Sequence, residues 1–406
     1  MTSRVQGPLS VAEARAQILR GSPRVAEEAL AVDGLLAGRV LAEDVLAAYT
    51  LPPFDNSAMD GYAVRARDVG SVPLRLPVRG EMAAGMAPGA VRLQPQSCAK
   101  VMTGAPLPEG ADAVVPYEWT DRGEETVLIQ RAPTVGNAVR RAGEDLAAGE
   151  LVLGRGHRLR PVDLAPLTAS GRGQVRVARR PRVALLTTGE EIRPPGTSLA
   201  PGEILDTAGP AIEAEILAGG GEVVLRERVG DRPEAVERAL RTAATAADLV
   251  VTVGGVSVGD HDHVRETVER WGRLRLWRVA MRPGRPIAFG TLEGAAFLGL
   301  PGNPVSATVT FLLFGVPCLL AMQGAARTDP ATTVAELLDK VEKPEGLETF
   351  HRVALEPRPG QLPGVRVAGN QSSGATLSLA RADALLALPA AGESVPRGAL
   401  VEVIPL

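Results

Sequence analysis

The chain has only two cysteines, Cys98 and Cys318, among its 406 residues, which is too few for a disulfide framework or a cysteine-built zinc site and fits a reducing compartment. No apolar run approaches the roughly 18–20 residues of a membrane span. The opening MTSRVQGPLS has no apolar export core. The expectation is therefore a cytoplasmic protein that does not engage a membrane. Charge of one sign is also lacking: the formal net charge is −3, which argues against general nucleic-acid binding. Lysine is scarce too. It occurs only as Lys100, Lys340 and Lys343, although lysine and arginine together number 44, so a site that needs a cation is almost always offered arginine.

The length exceeds what one hydrophobic core supports and predicts two to four domains. Ser10-x-x-Glu13 fits a capping box, opening a helix over 10–19 that Gly21 stops, and Asp33 begins a second helical stretch. Residues 52–142 turn rich in Gly and Pro, with short alternating runs, and read as a small β domain inserted into a first domain made of 1–51 and 143–179. Residues 180–326 alternate strand and helix. Strands are expected at 183–187, 222–229, 249–253, 287–289 and 295–300, and helices at 210–218, 233–244, 263–271 and from 304 to about 321. That spacing implies a mostly parallel sheet covered on both faces. Residues 327–406 are again strand-like. The predicted class is multidomain α/β and β: a central α/β domain, an inserted small β domain and a C-terminal β domain.

The densest chemistry lies in 249–262, LVVTVGGVSVGDHD. A buried-strand pattern ends at Gly254-Gly255, and Ser257, Asp260 and Asp262 follow. Glycines at the carboxyl end of a parallel strand let backbone approach a ligand, and carboxylates just beyond suit Mg²⁺. A plain turn between strand and helix accounts for the loop as well. His261 and His263 flank Asp262 but point to opposite sides of an extended segment, and read as incidental. PGNPVSA (301–307) places Asn303 as N-cap and Pro304 at the first helical position, with Ser306 able to add a donor. The free N–H groups there suit an oxyanion, and an ordinary capped helix explains them too. Arg282-Pro283-Gly284-Arg285-Pro286 holds two cations on a stiff loop. Glu190, Glu191, Asp206 and Asp231 put acids at further strand ends; each alone could be a cap. Acids beside anion loops fit metal-assisted chemistry on a phosphate or phosphoanhydride. The stretch PPFDNSAMDGYAV (52–64), Thr103-Gly104 and Arg140-Arg141…Glu144-Asp145 are structured polar turns.

Together these segments resemble the molybdopterin molybdenumtransferase family, relatives of the gephyrin C-terminal domain. PFDNSAMDGYAV (53–64), VMTGAPLPEGADAVVP (101–116), RRAGEDL (140–146), TTGEEI (187–192), GGVSVGDHD (254–262), AMRPGRPIAFG (280–290), GLPGNPVSA (299–307) and GNQSSG with LARADALLALP (369–389) carry the likeness in order along the chain. The resemblance implies four domains in an elongated homodimer. It also implies a reaction in which molybdate enters adenylylated molybdopterin, with Mg²⁺-dependent hydrolysis and release of AMP. The upstream adenylyltransferase and recipient molybdoenzymes are then expected partners.

By the same resemblance, Asp60, Glu191, Asp231 and Asp262 are catalytic, with Asp231 and Asp262 as metal ligands. Asp60 and Thr103 would be lent by the partner subunit, and Arg140 and Asp145 would border the same cleft. Ser257 and Asn303 would approach the phosphate or pterin. Arg282, Arg285 and Ser306 would cradle the oxyanion, with Arg352 and Ser378 as further molybdate contacts. Two departures stand out. Positions 282 and 285 usually carry lysine, and arginine binds as a flat fork where lysine is a point charge. An Asp-Ser-Asn turn is replaced by Asp206-Thr207-Ala208-Gly209, which removes an asparagine contact. An adenylyltransferase would share only the α/β unit, and the flanking segments argue against it. A non-catalytic carrier is opposed by the intact acidic set.

Overall fold

The computed structural model describes residues 8–256 and 263–406. The first helix, Val11–Gly21, begins as the sequence predicts. The Ser10 hydroxyl accepts the Glu13 N–H, and the Glu13 carboxylate accepts the Ser10 N–H at 2.9 Å. Its buried face, Val11, Ala14 and Ile18, packs into the core of the central domain. The helix expected after Asp33 does not form. The Asp33 carboxylate caps a single turn, Gly34–Leu36, and Gly38 then takes φ 83°, a left-handed conformation that ends it. Leu36 and Leu41 pack instead with Leu159, Val175 and Val177, so residues before and after the 52–142 segment share one core.

Residues 52–142 contain a five-stranded sheet in the order Ala113–Pro116, Gly61–Val64, Cys98–Val101, Leu74–Met82, Thr126–Ile129. Tyr62, Val64, Cys98, Val115 and Ile129 fill one of its cores. Burial pushes the Cys98 thiol up to about 12, which leaves it an inert core group.

The central sheet has six strands in the order Glu222–Val229, Arg182–Thr188, Leu249–Val253, Ala295–Leu300, Ala288–Leu292, Gly272–Trp277. The first four are parallel and the last two antiparallel. Period-two alternation assigns the faces. Val183 and Leu185 pack with Ile212, Ile216 and the helical run from Pro304, whereas Ala184 and Leu186 pack with Val236, Leu240, Val264 and Val268. With both faces covered, every residue of Leu249–Val253 is buried. The edge strand Gly272–Trp277 was not foreseen, because its arginines break the apolar pattern that marks the inner strands.

The run Pro304–Gln323 revises one expectation. This 20-residue helix holds an 18-residue window of mean hydropathy 2.1, long and apolar enough to cross a membrane, yet 83% of that window is buried inside the protein. Hydroxyl residues interrupt the apolar letters, and Thr308 returns its hydroxyl to the Pro304 carbonyl at 3.0 Å, so the helix stays apolar while serving as core.

The C-terminal segment closes a small sheet on itself from Thr333–Leu337, Glu348–Glu356, Gly364–Val367, Ala384–Leu388 and Leu400–Pro405. A two-residue strand from the central domain, Met281–Arg282, joins it, pairing in parallel with Glu348 and Thr349.

Candidate functional site

A cavity of about 540 Å³ opens at the carboxyl ends of Arg182–Thr188, Leu249–Val253 and Ala295–Leu300. Parallel strands deliver their end loops to this one rim. Thr188, Glu191, Asp206, Asp231, Gly254, Gly255 and Asn303 are in its wall. Gly254 has φ 91° and Gly255 φ 68°. A Cβ on Gly254 would stand 2.7 Å from the Thr188 hydroxyl, so only glycine lets the two loops meet here.

The acids of this cavity are held differently. Asp206 is 4% exposed, accepts the Gly209 N–H at 2.7 Å and the Thr187 hydroxyl at 3.3 Å, and faces the Arg226 guanidinium at 3.6 Å. Despite the altered turn, it is a fixed part of the wall. Asp231 accepts the Glu190 N–H at 3.2 Å through one oxygen. Glu191 and Asp231 together offer the hard oxygen donors that Mg²⁺ prefers, and Mg²⁺ commonly takes one or two carboxylates plus phosphate oxygens. Among the described residues no group of three metal-binding side chains is gathered. Asp262 and Ser257 lie outside the described residues.

Asn303 occupies the N-cap position, but its side chain makes no cap hydrogen bond and borders the cavity. The helix start is less open to an anion than the sequence suggests, because the Val305 N–H donates to the Ser373 carbonyl at 3.2 Å. Ser306 is buried at 4% exposure and lines neither this cavity nor the next.

A smaller cavity, about 160 Å³, lies where the central and C-terminal domains meet, with Arg282, Thr349, His351, Arg352 and Gln371 in its wall. The pairing of Arg282 with Thr349 brings these distant segments together. Arg352 is 1% exposed. Its Nε donates to Ser378 Oγ at 3.1 Å, and one terminal nitrogen donates to the Asn370 and Ser372 carbonyls, each at 3.1 Å. The Ser378 hydroxyl in turn donates to the Ala375 carbonyl at 2.6 Å. No carboxylate pairs with Arg352 among the described residues, so neutral dipoles alone offset its charge. The positive field affects its neighbour: burial first, then Arg352 and Arg282, pushes the His351 imidazole down to about 4.

The expected cradle of Arg282, Arg285 and Ser306 is thus not one constellation. Arg282 joins Arg352, Ser306 is core, and Arg285 is exposed and in neither wall. The loop still touches both sites, through Pro283 in the small cavity and Pro286 in the large one. Thr349, His351 and Gln371 were missed, although Gln371 sits inside the GNQSSG run. The apolar Ile192, Ile204 and Leu205 in the large cavity's wall were missed too. Asp60, Thr103, Arg140 and Asp145 are exposed on or beside the inserted domain, and the single chain brings none of them to either cavity. Asp60 accepts both the N–H and the hydroxyl of Thr103 at 2.7 Å, and these bonds hold its carboxyl below the usual range.

The family models described as MoeA N-terminal region (domain I and II), probable molybdopterin binding domain, and MoeA C-terminal region (domain IV) match residues 9–171, 184–321 and 334–406. The molybdopterin molybdenumtransferase 2 of Mycobacterium tuberculosis (strain ATCC 25618 / H37Rv) is 38% identical over 376 residues, 90% of this chain and 92% of its own. The molybdopterin molybdenumtransferase of Staphylococcus epidermidis (strain ATCC 12228 / FDA PCI 1200) is 32% identical over 402 residues, 98% of this chain and 95% of its own. The crystal structure of the molybdopterin biosynthesis moeA protein from Pyrococcus horikoshii OT3 superposes with a TM-score of 0.83 at 28% identity, covering 98% of this chain and 100% of that one. The chain, with its acid-lined cavity at the strand ends and its arginine-lined cavity alongside, belongs to the molybdopterin molybdenumtransferase family.

Proposed function

We propose that this enzyme inserts molybdenum into molybdopterin, with adenylylated molybdopterin in the large cavity and molybdate in the small one. The observation that carries the reading is the pairing of an acid-walled cavity with an arginine-walled one across a single short loop, 282–286. Glu191 and Asp231 would hold Mg²⁺, which supplies charge neutralisation to the phosphoanhydride when bound. Asp231, kept in place by the Glu190 N–H, and Glu191 would set the position of the phosphates at the rim through the cation they hold. Gly254 and Gly255 bring backbone close to the substrate, and Asn303 offers it an amide that no cap bond consumes. Water cleaves the phosphoanhydride and AMP leaves; molybdate then forms two Mo–S bonds to the dithiolene, and one of its oxygens leaves as water with the two thiol protons. Arg282 offers molybdate an exposed guanidinium and Arg352 a buried, preorganised positive field.

In a homodimer, the exposed Asp60–Thr103 pair would complete the partner's large cavity. The chain would act between an adenylyltransferase that makes its substrate and the molybdoenzymes that take its product. The test is AMP release from adenylylated molybdopterin with molybdate and Mg²⁺. Asp231→Asn should slow it on the order of a hundredfold while molybdate binding persists. AMP release that proceeds at the native rate in this variant would defeat the reading, and bound pterin without turnover in the native protein would make it a carrier.

A further inference from the structure

Thr349 stands in the wall of the small cavity, on the strand Glu348–Glu356, opposite Arg282 in the register of the two-residue strand. It is 1% exposed. Its hydroxyl oxygen is buried and has no hydrogen-bond partner. A buried hydroxyl left unpaired is a net cost to folding, and valine would fill the same space without it. The neighbouring polar groups show that partners can be recruited here. Gln371 receives the Arg352 N–H at 2.9 Å and returns its amide to the Arg352 carbonyl at 3.2 Å. Arg352 satisfies three acceptors of its own. Among the described residues of this wall, Thr349 alone has a buried side-chain polar atom without a partner.

Glu342, the carboxylate of this wall, does not take the hydroxyl. It pairs with Lys340 at 2.5 Å, and its side chain is 69% exposed. Its charge is therefore screened by solvent and a lysine.

We propose that the Thr349 hydroxyl is a further ligand of the oxyanion, donating to an oxygen of molybdate held beside Arg282, its partner in the strand register. This rests on the reading of the small cavity as the molybdate site. An anion oxygen is the acceptor the hydroxyl lacks, and a charged acceptor strengthens the bond. Thr349 would be specificity-determining: it asks for an oxygen at one fixed point, which a spherical anion such as chloride does not present in the same way.

The test is calorimetric titration of the full-length protein with sodium molybdate, alongside thermal unfolding without ligand. Thr349→Val should weaken molybdate binding by roughly tenfold and raise the ligand-free unfolding midpoint by about 2–4 °C. Thr349→Ser should bind within about twofold of the native protein, since the hydroxyl is restored. Native affinity in Thr349→Val would overturn the proposal, as would weakened binding together with a lowered midpoint, which marks a merely structural role. Arg282→Ala separates the two claims. If it weakens molybdate while Thr349→Val does not, only the Thr349 role fails; if neither does, or the native protein takes up no molybdate, the cavity reading fails with it.

Discussion

Arg352 and His351 sit next to each other on one strand and meet the same burial with opposite outcomes. The guanidinium keeps its charge because Ser378 and two carbonyls are arranged around it, while the imidazole gives its charge up. The consequence is a pH dependence with a definite sign. His351 falls from 6.5 to about 4 on folding, so between those values the unfolded chain binds more protons, and stability is lost as pH drops through that window. His351→Gln should therefore flatten the decline of the unfolding midpoint between pH 6.5 and 4; an unchanged acid limb would count against this origin. Residue chemistry of this kind was partly legible in the sequence. Arg282 could be named from the motif around it, and Arg352 from the family resemblance alone. Their shared cavity could not, because it depends on strand pairing between distant segments, and Thr349 carries no motif at all.

At the scale of elements, the parallel strands of the central domain were readable because both their faces are buried, which leaves unbroken apolar runs such as Leu249–Val253. The failures have equally local causes. Gly38 in a left-handed conformation cut short the helix begun at Asp33, and alternating arginines masked the strand Gly272–Trp277. The strand-end loops depend on backbone that only glycine tolerates. Gly254→Ala combines a φ of 91° with a contact against Thr188 and should cost about 1–3 kcal/mol. It should also raise the KM for the pterin substrate, because the two loops must part to admit the methyl group. Kinetics with the pterin substrate, together with thermal unfolding, check both; native values for each would show that the loops tolerate a side chain.

For the whole molecule, the separation of the predicted site residues is informative. Glu191, Asp231 and Asn303 converge within the chain, whereas Asp60 and Thr103 remain on the exposed surface of the inserted domain. A role for Asp60 in the reaction then requires a second copy. Mixed dimers made from Asp60→Ala and Asp231→Asn subunits should regain activity that neither parent has, since one of the two cavities would combine native residues from both chains. A mixture no more active than its parents would confine each site to a single chain. The motifs named the candidate residues; only three-dimensional placement divides them into those that meet in one cavity and those that lie apart from it within the chain.

The short strand Met281–Arg282 has one more consequence. Because Arg282 is hydrogen-bonded into the C-terminal sheet, it travels with Arg352 and Thr349, whereas Pro286 belongs to the rim of the large cavity. Only Pro283, Gly284 and Arg285 stand between these anchor points, and Gly284, at φ 96°, lies so close to Thr310 that a side chain there would strike its hydroxyl. Two prolines and a pinned glycine leave the span little freedom to stretch or coil. It acts as a molecular ruler: the gap between the arginine-lined cavity and the acid-lined one is written into three residues.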